Sequence, residues 1–273
     1  MANTSLLPMS MLLNSPKKVM TVKCRPAISS SLSSLATDRQ KLFKWWDQRQ
    51  INSVRALMVG AGGLGSNILK TLIQIGLQTD IVDGDIVDIT NLNRQFFTLS
   101  DVNKPKAHAV LKNVAPYAIR SMILRGYWVW FGEFASRHKQ THRYDIICCG
   151  VDNHRANAEV AAFAVEKGIP AVFVNVSENG DACRIFIQRP CEACYACYCP
   201  DSLNPPAVKP EGCPPTPAIA DILLVACGFA VRAVVGELLD SPIGNHWNCR
   251  DITLSGLSIK KYIKKREGCP LGG

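Results

Sequence analysis

"GAGGLGSNILKTLIQIG", Gly60 to Gly76, is the stretch on which the reading of this chain turns. Gly60, Gly62 and Gly65 stand in a G-x-G-x-x-G, and Leu64, Ile68, Leu72 and Ile75 follow at helical spacing. Before it, "RALMVG" (Arg55 to Gly60) is a short apolar run closed by glycine, the pattern of a buried strand. After it, "QTDIVDGD" (Gln78 to Asp85) reads as a second strand ending in acids. Strand, glycine turn, helix and strand make one βαβ unit, which implies a parallel pair with a right-handed crossover. Missing side chains let backbone N–H groups and the helix N-terminus approach phosphates. Asp83, 18 residues after Gly65, stands where a carboxylate can accept bonds from ribose hydroxyls, and Asp85 is a second acidic candidate beside it. On its own this loop fits a nicotinamide or flavin enzyme as well as an ATP enzyme, and it also fits a tight turn with no ligand.

Outward from the loop the alternation continues. Strands are expected in "SMILRGYWVW" (121–130), "YDIICCG" (144–150) and "PAVFVNV" (170–176), with a helix in "DNHRANAEVAAFAVEKG" (152–168). "CRIFIQ" (183–188) opens an antiparallel portion, and six prolines from Pro205 to Pro217 mark a stiff, irregular connection. Thr216 can cap, and Pro217 begin, a helix running to about Leu239. The expected fold is α/β: a Rossmann-like, doubly wound, mainly parallel sheet with an antiparallel C-terminal portion, forming a single domain over residues 38–273.

At 273 residues and 47% hydrophobic content the chain can bury a full core. Its longest apolar run, Ile222 to Val231, falls short of the roughly 20 residues a membrane span needs, so no membrane partner is expected. Twelve cysteines in so large a chain, without a charged-then-apolar start, favour a reducing cytoplasmic setting over a disulfide framework. The first 37 residues hold no Asp or Glu, eight Ser and four cations (Lys17, Lys18, Lys23, Arg25), and are expected to be a disordered or weakly ordered tail, a composition that organelle transit peptides share. The net charge of +9 favours anionic partners, but no nucleic-acid signature accompanies it. "KKYIKKR", Lys260 to Arg266, alternates with Ile259 and Ile263 and reads as the solvated face of an amphipathic strand.

"DGDIVDITNLNRQFFTLSDVNKPKA", residues 83–107, discriminates among nucleotide chemistries. An oxidoreductase has no need of Asn91, Arg94, Gln95 and Lys106 clustered just after its ribose acid. A nucleoside triphosphate does, because cations must offset its phosphates and the charge moving onto a pyrophosphate leaving group. Here the chain resembles the ThiF/MoeB/HesA adenylyltransferases and the related ubiquitin-activating enzymes. The likeness lies in "GAGGLGS", the "DGD…NLNRQFF" run, "KPKA", "GVDN" (Gly150 to Asn153) and the cysteine segment, and covers about residues 38 to 273.

The resemblance implies that Asp83 holds the ribose of ATP, that Asn91, Arg94, Gln95 and Lys106 surround the phosphates, and that Asp152 faces a magnesium ion. Asp152 can equally cap the following helix. Arg39 in "DRQ" is similar to a family arginine that reaches into the partner subunit's site, implying a homodimer. A substrate carboxylate, ionised at neutral pH, can attack the α-phosphate without a general base. Cys213 in "EGCPPTP", within a flexible loop 200–217, is a candidate thiol acceptor of the acyl group, and an incidental loop cysteine is the alternative.

In the family two C-x-x-C pairs hold structural zinc. Cys194 and Cys197, within the Cys-rich segment 191–199, match the first pair, and Cys269 matches half of the second. Gly272 stands where the fourth thiol is expected, leaving either Cys191, Cys199 or Cys249 as a substitute or a site that is weakened or lost. A ferredoxin-like run is a competing reading, but its last interval is one residue rather than three. The terminal "LGG" is similar to a ubiquitin-like tail and is read as coincidence. The expected function is ATP-dependent adenylation of the C-terminal carboxylate of a ubiquitin-like or sulfur-carrier protein. The alternatives are adenylation of a short ribosomal peptide, a nicotinamide-dependent oxidoreductase, and a non-catalytic nucleotide-binding scaffold.

Overall fold

The computed structural model describes residues 18–25, 35–138, 144–203, 219–239 and 246–271, and in them the alternation of strand and helix is present. The strands are β1 (Val19–Cys24), β2 (Arg55–Val59), β3 (Gln78–Val82), β4 (Met122–Tyr127), β5 (Ile146–Cys149), β6 (Ala171–Val176), β7 (Ala182–Gln188), β8 (Cys249–Thr253) and β9 (Ser258–Lys261). The helices are α1 (Asp38–Lys41), α2 (Gln48–Ser53), α3 (Gly63–Gln74), α4 (Lys106–Val114), α5 (Phe131–Arg137), α6 (His154–Lys167), α7 (Tyr195–Tyr198) and α8 (Ala220–Leu238).

All nine strands join one sheet in the order β1-β4-β3-β2-β5-β6-β7-β8-β9. From β4 to β6 neighbours run parallel; β1 and β7 to β9 are antiparallel to theirs. The chain moves outward from β2 to β3 and β4, then returns to place β5 and β6 on the other side. The crevice between the ends of β2 and β5 is therefore the topological switch point at which such sheets receive ligands.

The central strands read as unbroken apolar runs because both faces are covered. In β2, Ala56 and Met58 enter the layer with Ile68, Leu72, Val110 and Ala230, whereas Leu57 and Val59 enter the layer with Phe134, Phe163 and Phe173. Gly168 closes α6 in the left-handed conformation, its N–H bonded to Ala164 O, so the chain can turn into β6.

Four expectations are corrected. Val19–Cys24, inside the expected tail, is an edge strand pairing Val19 with Tyr127 through Cys24 with Met122. Its two-residue alternation buries Cys24 and half-buries Met20 and Val22 against the sheet, a short signal hidden in the tail's overall composition. β4 ends at Tyr127 rather than carrying "WVW" onward, and Trp130 becomes the N-cap of α5. α8 begins at Ala220 after Ile219, while Thr216 and Pro217 lie outside the described residues. Finally, β9 takes in only Lys260 and Lys261 of the basic run, and all four of its residues are exposed. At the rim of the sheet neither face of β9 is covered, so Ile259 is not buried as an amphipathic strand would require.

Candidate active site

The glycine loop divides its labour. Gly60 adopts φ +90°, a conformation that favours glycine, and donates its N–H to Val82 O at 2.9 Å. A Cβ on Gly65 would lie far inside contact distance of the Gly60 carbonyl oxygen, so this glycine lets α3 close onto β2. A Cβ on Gly62 meets nothing within 4 Å among the described residues. Gly60 and Gly65 are thus demanded by the fold, while Gly62 keeps the mouth of the loop open.

α3 starts at this loop without a capping side chain, so its first N–H groups face the crevice. Two bonds tie the following segment to it. Ser66 Oγ donates to Gly62 O at 2.7 Å and accepts from Phe96 N at 3.0 Å. Asn67 Nδ2 donates to Gly63 O at 2.7 Å and to Arg94 O at 3.2 Å.

Asp83 sits at the end of β3, locked to the loop. Its carboxylate accepts from Ala61 N at 2.6 Å and from Asp85 N at 2.7 Å. Burial pushes its pKa above the ordinary carboxylate value, against the Ala61 N–H and the nearby Lys106 ammonium. Lys106, 9% exposed, donates from Nζ to Asp85 Oδ2 at 3.0 Å and from its backbone N to Asp85 O at 2.9 Å. The acid pair and the lysine therefore form one unit although Asp85 and Lys106 are 21 positions apart.

Arg94 Nη1 donates to Thr90 O at 2.6 Å and Asn93 Oδ1 at 2.9 Å, while its Cγ lies 3.7 Å from where a Cβ on Gly63 would be. Asn91 is buried and folds the turn, its Oδ1 accepting from Asp88 N at 3.0 Å. Gln95 Oε1 is buried with no hydrogen-bond partner among the described residues.

At the end of β5, Gly150 N donates to Val59 O at 3.0 Å, bringing "GVDN" beside the loop. The helix cap is Asn153, which accepts from Ala156 N at 2.7 Å, so the capping role considered for Asp152 belongs to its neighbour. Asp152 is exposed, and an exposed carboxylate at a strand end is a donor that suits a hard cation such as magnesium. Arg39 is not brought to this crevice. Gln40 beside it donates to Ile75 O at 3.3 Å, at the far end of the 12-residue α3, about 18 Å from the loop at 1.5 Å per residue.

A second cluster lies in the antiparallel part. Cys194 Sγ is 3.7 Å from Cys197 Sγ and 3.4 Å from Cys269 Sγ, and Arg266 N donates to Cys197 Sγ at 3.3 Å. Four sulfurs at about 2.3 Å from a tetrahedral zinc stand about 3.8 Å apart, so these three thiols fit that ion. Cys194, Cys197 and Cys269 are the group that closes to metal-ligand spacing among the described residues. Cys191, Cys199 and Cys249 lie outside this group: Cys191 is exposed, Cys199 Sγ faces His154 Nδ1 at 3.7 Å, and Cys249 is held in β8. Cys213 and Gly272 lie outside the described residues. Every described cysteine is free.

Sequence reasoning passed over Gly84, Trp128 and Trp130. Trp128 Nε1 donates to Gly84 O at 3.0 Å, and a Cβ on Gly84 would strike the Trp130 ring at 2.6 Å. The available signal was "WVW" immediately after β4, taken there as strand.

By strand order and loop geometry this is a doubly wound α/β protein with a phosphate-loop type of crevice at its switch point. The chain belongs to the ThiF family, whose model matches residues 36–271. It is 26% identical over 239 residues to a sulfur carrier protein adenylyltransferase of Thermus thermophilus, covering 83% of this chain and 84% of that protein. It is 49% identical over 63 residues to the NEDD8-activating enzyme E1 catalytic subunit of Arabidopsis thaliana, covering 22% of this chain and 14% of that one. Across similar activating-enzyme subunits the match spans 13% to 29% of the relative's length. Among solved structures, E. coli MccB with ATP superposes with a TM-score of 0.67 at 17% identity, over 83% of this chain and 68% of that one. PaaA gives 0.69 at 17% identity over 88% and 76%. At such identity these two speak for the fold alone.

Proposed function

We propose that the chain is an ATP-dependent adenylyltransferase that activates the C-terminal carboxylate of a ubiquitin-like or sulfur-carrier protein as an acyl-adenylate. The observation that carries this reading is the convergence of the open Gly62 face, the loop-bound Asp83 and the Lys106 ammonium at one switch-point crevice in a ThiF-family chain. The nearly full-length likeness to a sulfur carrier protein adenylyltransferase supports the substrate class.

In this mechanism the N–H groups of the loop and of the first turn of α3 receive the phosphates, and Asp83 accepts from the ribose hydroxyls. The substrate carboxylate is already ionised, so the protein's task is to align it with the α-phosphorus and to neutralise charge. The carboxylate oxygen forms a bond to that phosphorus as the bond to the bridging oxygen of pyrophosphate breaks. Arg94 and Lys106 stabilise the negative charge gathering on pyrophosphate. Asp152 would hold magnesium, which supplies additional compensation of phosphate charge. Cys213 is the candidate thiol to which the acyl group passes with release of AMP. Zinc on Cys194, Cys197 and Cys269 would pin the C-terminus to the antiparallel lobe, and Arg39 would act in a partner's site within a homodimer. A cytoplasmic setting agrees with the free cysteines, and among the described residues no helix is long and apolar enough to cross a membrane.

The test is ATP–pyrophosphate exchange against a panel of purified ubiquitin-like proteins and of short peptides with free C-terminal carboxylates. Exchange is expected with a member of the first group, and Arg94→Ala is expected to lower it by about 100-fold, the scale of losing one charge-stabilising group. Exchange only with short peptides would move the substrate class to peptide modification. No exchange with any carboxylate, alongside retained ATP binding, would leave a nucleotide-binding scaffold.

A further inference from the structure

Trp130 is 65% exposed yet held in place. A Cβ on Gly84 would lie 2.6 to 2.8 Å from three atoms of its ring, Cδ2, Cε2 and Cε3. Near-equal distances to three fused-ring atoms put the face of the indole, not its edge, over Gly84. Trp128 grips the same residue through the bond from its Nε1 to Gly84 O, and the backbone of Trp130 starts α5. An exposed aromatic face is thus fixed one residue beyond Asp83.

The strand order says what belongs there. The phosphate loop follows β2 and the ribose acid ends β3, so a nucleotide laid along this edge runs outward across the sheet toward β4. Asp83 N donates to Tyr127 O at 3.1 Å, so the end of β4, and "WVW" after it, adjoins the ribose acid directly. The next part of a nucleotide after its ribose is the base.

We propose that Trp130 is the stacking platform for the purine base of the nucleotide bound at this site, an inference that rests on the ATP reading above. One indole face packs on Gly84 and the other receives the base. A stacked indole contributes affinity for any base, because every base has a π-face. Trp130 therefore adds affinity for ATP and GTP alike, and discrimination between them comes from contacts at the base edge.

Calorimetric titration of the full chain with ATP, GTP and inorganic tripolyphosphate tests this, with thermal melts as a folding control. Trp130→Ala is expected to weaken ATP and GTP by about tenfold each, within the range for one lost stacking contact, and to leave tripolyphosphate unchanged. Trp130→Phe is expected to bind ATP within about threefold of wild type, since an aromatic face remains. Unchanged ATP affinity in Trp130→Ala would overturn the proposal. So would parallel losses of ATP and tripolyphosphate, which would assign Trp130 to holding Gly84 and α5. Wild-type protein that binds none of the three would instead refute the nucleotide reading on which the proposal rests.

Discussion

Between β4 and β6 the strands run parallel with both faces covered; from β7 to β9 they run antiparallel, and the last has all four residues exposed. In the first region position is enforced by backbone proximity: Gly65 against the Gly60 carbonyl, Asp83 on Ala61 N, Gly150 N on Val59 O. In the second it is enforced by side chains. Arg184 and Lys261 both hold Asp251, and Cys194 and Cys197 meet Cys269 across more than 70 positions. A site assembled from backbone contacts is as stable as the core beneath it. One assembled from side chains depends on charge and on what the thiols bind.

The largest expected effect comes from breaking the first region. Gly65→Ala drives a Cβ into the Gly60 carbonyl oxygen, where both groups are main-chain and cannot rotate away; the expected outcome is loss of folded protein, or a destabilisation above about 4 kcal/mol in denaturant melts. Gly62→Ala adds the same methyl group where nothing stands within 4 Å. It is expected to melt within about 2 °C of wild type, as an unstrained surface change does, while ATP affinity falls. A Gly62→Ala protein with wild-type affinity would mean that phosphates do not use this face.

The second region should break at its thiols. Cys194→Ser is expected to abolish bound zinc in metal analysis and to lower the melting temperature by about 5 °C or more, since structural zinc contributes directly to folding. Separate Ser variants of Cys191, Cys199 and Cys249 are expected to leave the metal content unchanged. Retained zinc in Cys194→Ser would remove the cluster from consideration as a metal site.

The same contrast explains what could be read from sequence. In the parallel region local rules and global fold agree: a glycine signature, helical spacing and apolar strands mark β2, α3, β3, β5 and β6. The partners of the site were less visible. Asn153 rather than Asp152 caps α6, because which of two adjacent acceptors meets Ala156 N is decided by backbone angles. Arg39 stands in a motif, but its distance from the loop depends on α1 packing at the C-terminal end of α3. β1 was missed because six alternating residues carry little weight inside a Ser-rich, acid-free stretch. In the antiparallel region, spacing marked Cys194, Cys197 and Cys269, but spacing could not exclude Cys199, which is close in sequence and turns toward His154 instead.

The smallest predicted effect is a difference in sign between two aspartates. Burial raises the pKa of Asp83 above its ordinary value, so folding makes its protonated form less unfavourable than it is in the unfolded chain. Its stabilising contribution is full below the unfolded value of about 4 and is lost as pH rises through the folded pKa. For Asp251 burial acts upward, but the bonds from Arg184 and Lys261 outweigh it and hold the pKa low. Its contribution is full above about 4 and is lost as pH falls through the folded pKa. Melting temperature followed against pH should therefore respond oppositely to the two amide variants. Asp251→Asn is expected to flatten the loss of stability below about pH 4, and Asp83→Asn to flatten the loss just above it. Asp83→Asn also removes a charge facing Lys106, so its profile is compared with Lys106→Met; if the two profiles coincide, the slope belongs to the ion pair and not to the burial of Asp83.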